Sequence, residues 1–396
     1  MDNGKKILLY TTELGHPSMK RITNDIVHGF AKLGLELILA DINDVSTMLG
    51  ARHMLLNEQI EFSVGVNNSG KYMVDNDGRC IYEYVDTPFV SIMLDAPYNV
   101  ATDNIAFPCK NHYVCLLDKT HQEALKICYP KTTFAGSMLL PLAGSSNGNE
   151  EEIFSIERPL DVVYSASIYH GGDFKPAWME DDTSPFVVAI LQDVVDYMLS
   201  NPVSMLDAFK VVLEERGLYG PEYIHKFTPY MFSLFFYVKH RRRYNAVELL
   251  AKEGITVDVY GSGWEWVPFA DKLRLHGEVD YEEVLDAFTK TKVVFQDQAE
   301  FNNGGHDRVF TAMLNGAAVV SEYSTYLEKK FDVNKDIFLF DWKNTGSQLQ
   351  IIKELISNES LRLSTAISAY GKASSQHRWV NRAASIMEMM SVLRGN

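Results

Sequence analysis

Short apolar runs alternate with amphipathic stretches along most of the chain. Ile7, Leu8, Leu9 and Tyr10 form the first run, a buried strand by pattern. A polar loop, 11–18, leads into a helix predicted over about 19–33, with Ile22, Ile26, Val27 and Phe30 on one face and Gly34 at its end. Residues 35–40 are the next strand, so the chain opens with a β-α-β unit and a parallel sheet. Runs at 89–94, 113–117 and 133–139 extend it. Residues 48–84 read instead as turns between short strands, around Gly65, Asn67, Asn68, Gly70 and 75–78.

The pattern pauses at 143–152, a polar Gly/Ser/Asn/Glu stretch, and restarts as a strand at 160–165. A mainly helical segment, about 173–245, interrupts it before the strand at 256–260. A helix at 281–289 follows, then strand 292–295, a polar glycine loop, a helix from Arg308 to Gly316 and strand 317–321. Strand 337–340 and helices at 348–356, 359–373 and 376–393 close the chain. Two α/β domains are expected, 1–150 and 151–375, with 376–396 as a terminal helix. Phe232, Phe235, Phe236 and Tyr237 are expected in the core.

Composition narrows the function classes. The 396 residues carry a net charge of −15, which argues against a general nucleic-acid binder. The four cysteines form no C-x-x-C pair, so reduced thiols are expected and a metal site is not. The run at 7–10 is too short for a secretory signal, and no run spans a bilayer, so a cytoplasmic location is expected. Peripheral membrane contact stays open.

The loop 302–305 running into the helix at Arg308 has the chemistry of an anion site. Free backbone N–H groups and the helix dipole point at it, and His306 and Arg308 add donors. Gly304 and Gly305 let a ligand approach closely. The alternative is a surface pair between Arg308 and Asp307 or Glu322. Gly261-Ser262-Gly263 after the strand at 256–260 is a second glycine loop, or a tight turn. Trp266 stands where a dinucleotide fingerprint needs its third glycine. His16 and Asp95 follow strands of the first domain and are candidate general bases, or else loop and turn residues. The run Lys239-His240-Arg241-Arg242-Arg243 reads as a solvated helix face, or as a phosphate-holding cluster.

These pieces resemble bacterial glycosyltransferases of the CgeB-like, spore-maturation type, within the two-Rossmann-domain GT-B class. The matching stretches are 257–264 (VDVYGSGW), 275–277 (LHG) with 279–281, 308–317 (RVFTAMLNGA), 376–382 (QHRWVNR) and 88–97, ending Leu94-Asp95-Ala96-Pro97. The resemblance implies two Rossmann-like domains facing a cleft, with the last helix crossing back to the first domain. It implies a nucleotide-diphosphate sugar as donor, held by Gly261, Ser262, Gly263, Gly304, Gly305, His306, Arg308 and Thr311, and no cofactor or metal cage. The activity implied is hexosyltransferase-like transfer to the hydroxyl of a glycan, protein or small molecule. Thr311 and Asn303 stand where such relatives often carry glutamates. A non-catalytic nucleotide-sugar or glycan-binding partner subunit and a sugar-nucleotide epimerase are the alternatives.

Overall fold

The computed structural model describes residues 6–12, 17–58, 60–99, 105, 107–148, 150, 152–169, 175–179, 182–298, 300–343 and 345–394. The chain divides into two compact units, Met1–Ser145 with Ser375–Asn396, and Ser146–Ser374. Each is built on a six-stranded parallel sheet, so the fold is α/β with two Rossmann-like sheets.

The first sheet comprises β1 (Lys6–Thr11), β2 (Glu36–Asp41), β3 (Ile60–Val66), β4 (Phe89–Ile92), β5 (His112–Leu116) and β6 (Gly136–Leu139), in the order β2-β1-β3-β4-β5-β6. Its strand direction of growth reverses between β1 and β3. The helix Pro17–Ala31 buries Ile22, Ile26 and Phe30. Gly34 ends it with φ +74°, a conformation that costs a side chain but not glycine. Residues 48–84 keep only part of the expected turn pattern. Val45–Asn57 is a helix capped by Asp44, whose carboxylate accepts the Ser46 N–H at 2.9 Å, and Gly65 lies inside β3. The expected turns are present at Asn67 and Asn68, with φ +46° and +60°, and at 75–78, where Gly78 takes φ +81° between the paired Val74 and Cys80, whereas Gly70 lies in the one-turn helix Ser69–Tyr72.

The terminal helix Trp379–Arg394 belongs to this same unit. It packs on Pro17–Ala31 at Gly29, where a Cβ would meet the Trp379 carbonyl oxygen at 2.7 Å. Arg382 fixes it there by donating to the carbonyls of Pro141 at 2.5 Å and Leu142 at 3.1 Å. These bonds satisfy buried carbonyls that would otherwise be left unpaired.

The second sheet comprises β7 (Leu160–Ser165), β8 (Val257–Tyr260), β9 (Leu273–Gly277), β10 (Thr291–Gln296), β11 (Ala318–Glu322) and β12 (Phe338–Phe340), in the order β12-β11-β10-β7-β8-β9. Val293 and Phe295 of β10 enter one core cluster and Val294 the other, so both sheet faces are covered. This is why the strands read as unbroken apolar runs. Growth of the sheet reverses between β7 and β10, the place where open α/β sheets leave a crevice at the strands' carboxyl ends.

Between β7 and β8 come the helices Pro185–Ser200, Met205–Glu215, Pro221–His225 and Thr228–Lys252. The aromatic stripe of the last is only partly core. Phe235 is buried, whereas Phe232 is 53% exposed. The basic run on this helix is not a solvated face either, because His240, Arg242 and Arg243 are buried. Among the described residues no helix is long and apolar enough to cross a membrane. All four cysteines are free thiols.

Candidate functional site

The reversal point of the second sheet gathers most of the residues singled out in the sequence. β7 ends at Ser165 and continues as Ala166, Ser167 and Ile168. Arg308 donates through Nη1 to the Ser165 carbonyl. Its Nη2 lies 2.8 Å from Nε2 of His306. His306 Nδ1 lies 2.5 Å from an Asp307 carboxylate oxygen. Both side chains are largely buried, His306 at 16% exposed and Asp307 at 11%. Burial and the neighbouring Arg308 charge lower the His306 pKa, so the ring is held neutral at pH 7. Asp307 is pushed up by burial but ends below its ordinary value, through His306 and Arg308.

Asp297, directly after β10, sits behind this group and is 1% exposed. The Tyr164 hydroxyl donates to its Oδ1 at 2.7 Å, and Arg243 Nε approaches its Oδ2 at 3.5 Å. Burial alone would raise the carboxyl, yet Arg243, Arg308 and the Tyr164 hydroxyl hold it well below the usual carboxylate range. Arg243 also donates to the Ser167 carbonyl at 2.8 Å. A second buried pair, Arg242 with Glu322 at 2.9 Å, lies alongside on the same helix and the end of β11.

The glycine loop after β8 borders the same segment. Gly261 and Gly263 take φ +148° and +88°. A Cβ on Gly261 would meet the Ala166 backbone at 2.5 Å, and one on Gly263 would collide with the Ile168 carbonyl oxygen. The two glycines therefore serve first to lay this loop on 166–168. Ser262 completes the seam. Its N–H donates to Ser167 Oγ at 3.1 Å and its carbonyl accepts the Ile168 N–H at 2.9 Å. Gly305 likewise has no room for a side chain, since a Cβ would meet the Phe310 ring at 2.7 Å. The Gly304 carbonyl accepts the Ser324 hydroxyl at 2.5 Å.

Thr311 is 1% exposed, so its side chain is covered. The two carboxylates nearest in sequence are engaged inside the unit: Glu300 accepts the Met205 N–H at 3.2 Å at a helix start, and Asp307 pairs with His306. Asp95 belongs to the first unit. It lies half-buried beyond the carboxyl end of β4, and its Oδ1 accepts Asn99 Nδ2 at 2.9 Å. His16 lies outside the described residues. Among the described residues no group of three or more His, Cys, Asp or Glu is placed to hold a metal ion.

Sequence reasoning missed Asp297, Tyr164 and the burial of Arg242 and Arg243. Helical spacing carried one signal. Arg242 falls seven residues after Phe235 and four before Ala246, on the stripe that is buried.

Comparison with known proteins reaches the same region. Residues 241–388 match the family model described as glycosyl transferase-like. The match takes in Arg243, both glycine loops, Asp297 and Arg308. No curated protein sequence matches the chain. Solved structures share its fold. T4 phage BGT in complex with its UDP-glucose substrate aligns with 97% of this chain and 99% of its own, at TM-score 0.54 and 9% identity. An alpha-glucosyltransferase in complex with UDP-glucose and DNA containing an abasic site aligns over 98% and 99%, at TM-score 0.54 and 12% identity. Sucrose-phosphate synthase from Thermosynechococcus elongatus aligns over 99% of both chains, at TM-score 0.51 and 10% identity. These likenesses establish the two-sheet GT-B-like fold.

Proposed function

We propose that the protein is a glycosyltransferase moving a sugar from a nucleotide-diphosphate sugar to an acceptor hydroxyl, without a dedicated metal. The observation that carries the reading is the Arg308 guanidinium at the carboxyl-end reversal of the second sheet, at the start of a helix and beside Gly304 and Gly305. A fixed cation at a helix entry lowers the energy of a leaving diphosphate without reorganising as charge develops. The glycosyl transferase-like match over 241–388 supports the class. UDP-glucose is bound by proteins of similar fold, which supports a nucleotide sugar as donor. The acceptor side falls to the first unit, with Asp95 as the base on an acceptor hydroxyl if the reaction inverts the anomeric centre.

Isothermal titration of the whole chain with a panel of nucleoside diphosphates tests this. At least one should bind, and Arg308→Ala should lose most of that affinity. Binding to none of them, or unchanged affinity in the variant, rejects the reading.

One observation favours a second reading, a non-catalytic nucleotide-sugar-binding partner. Thr311 and Asn303 stand where carboxylates were expected, and neither Glu300 nor Asp307 points a spare carboxylate outward in their place. Donor hydrolysis or transfer at a measurable rate would eliminate it.

A further inference from the structure

Asp297 is a deeply buried charge of the site, 1% exposed, and groups from three distant elements act on it. Tyr164 is the next-to-last residue of β7, Arg308 lies in the first turn of the helix Asp307–Leu314, and Arg243 comes from the helix Thr228–Lys252. Both arginines also grip the same strand end, Arg308 at the Ser165 carbonyl and Arg243 at the Ser167 carbonyl. Arg243 is near enough to disfavour the charged form of Arg308, and Asp297 favours it. Two guanidiniums held at one strand end repel, and burial strengthens the repulsion. Without the carboxylate behind them one would turn away.

A guanidinium carries five N–H donors. Among the described residues Arg243 uses two, on Asp297 and Ser167, and Arg308 uses two, on Ser165 and His306. Three on each are left for a ligand with many acceptor oxygens close together. Pyrophosphate has that chemistry, and two planar forks match it better than one. The helix geometry agrees. Arg243 sits nine residues before the end of its helix at Lys252, about 14 Å along the axis. That is near the length of the four-residue β8 it runs back beside, so Arg243 arrives level with the strands' carboxyl ends.

We propose that Asp297 is a positioning residue that holds Arg243 beside Arg308, so that the inserted helix supplies a second cation to the donor's pyrophosphate group. This rests on the reading of the site as a nucleotide-sugar site.

The test is titration of the whole chain with inorganic pyrophosphate, alongside the thermal midpoint of each variant with and without it. Wild type should bind. Arg243→Gln should bind about tenfold or more weakly, and Arg243→Lys, which keeps the charge and loses the fork, should fall between. Asp297→Asn should also bind more weakly. A carboxylate with no positioning role predicts the opposite sign, since removing a negative charge beside an anion tightens binding. Pyrophosphate should raise the midpoint of Arg243→Gln less than that of wild type, an effect that a purely structural ion pair would not produce. Unchanged affinity in Arg243→Gln, or equal or tighter binding in Asp297→Asn, overturns the proposal. If Asp297→Asn does not fold, Arg243→Lys decides, and wild-type affinity there counts against it. Loss of binding in Arg308→Ala with normal binding in Arg243→Gln rejects this inference and leaves the donor-site reading standing. Absence of binding in wild type rejects both.

Discussion

The Nη2 of Arg308 lies 2.8 Å from Nε2 of His306. A guanidinium can only donate, so Nε2 accepts and the ring proton is on Nδ1. Nδ1 faces an Asp307 oxygen at 2.5 Å, which takes that proton's hydrogen bond. The backbone N–H of Arg308, 3.4 Å from Nδ1, is then not capped by the ring. The imidazole is a neutral bridge that passes the orientation of Asp307 on to Arg308.

Removing that bridge should weaken the cation it orients. In His306→Ala, Arg308 loses an acceptor and Asp307, largely buried, keeps the long 3.5 Å bond from the Tyr281 hydroxyl but loses the short one from His306. Affinity for the nucleoside diphosphate that wild type binds best should fall about tenfold, the effect of one hydrogen bond to a charged group. His306→Asn should lose less, because its amide can still bridge. Calorimetric titration of both variants checks this, and equal affinities in His306→Ala and wild type would refute the bridging role.

Stability should fall on mild acidification, chiefly through His112. This ring is 1% exposed inside a cage of Phe89, Phe107 and Phe134, and burial lowers its pKa to about 3. In the unfolded chain it titrates near 6.5. Between those values the unfolded state binds a proton that the folded state refuses, so stability rises with pH across the window. It is fully present above about 6.5 and is lost as pH falls toward 3, by at most about 1.4 kcal/mol per unit. His306, also lowered, acts in the same direction. Urea denaturation from pH 7 to pH 4.5 should show the slope, and His112→Leu should flatten it whatever its own stability. An identical slope in that variant would rule His112 out as the source.

The strands were legible because a parallel sheet buries both faces of each one, which leaves uninterrupted apolar runs such as 7–10 and 292–295. The helix Val45–Asn57 was not, because Val45, Leu49 and Leu56 face solvent and blur the helical stripe. Arg308 and the glycine loops could be read locally, since a loop running into a helix is a short-range pattern. Asp297 could not. Its partners Tyr164 and Arg243 stand 133 and 54 positions away, and only the fold brings them to it. Lys239–Arg243 misled for a related reason: a run of charges reads as solvated unless the carboxylates that neutralise it are known.

Two glycine substitutions should separate backbone strain from close packing. Gly34 takes φ +74° with nothing within 4 Å of a built Cβ. Gly34→Ala should cost only the strain, about 1–2 kcal/mol. Gly263 takes φ +88°, and its Cβ would collide with the Ile168 carbonyl. Gly263→Ala should add an overpacking cost of roughly 1–3 kcal/mol and loosen the seam to Ser167. Chemical denaturation compares them, and equal losses would mean that the loop on 166–168 is not tightly held.

The Arg242–Glu322 pair should be worth much more to the second unit than surface ion pairs are. Their side chains are 1% and 0% exposed, 2.9 Å apart. Glu322 also accepts the Gln298 N–H at 3.0 Å and Trp342 Nε1 at 2.8 Å, and Arg242 donates to the Met198 and Asn201 carbonyls. Glu322→Gln keeps the shape but leaves the guanidinium buried and uncompensated, so it should destabilise by roughly 3–5 kcal/mol. Arg242→Met should cost a similar amount by leaving the carboxylate alone. The double variant removes both charges, and apolar replacement of a buried pair is often close to neutral. Full recovery is not expected here, because the glutamine amide has one acceptor oxygen for the two N–H groups of Gln298 and Trp342, and the Met198 and Asn201 carbonyls lose Arg242. The double variant should therefore cost clearly less than the sum of the singles, by at least about 1 kcal/mol. Additive losses in urea denaturation would show that the two side chains act independently.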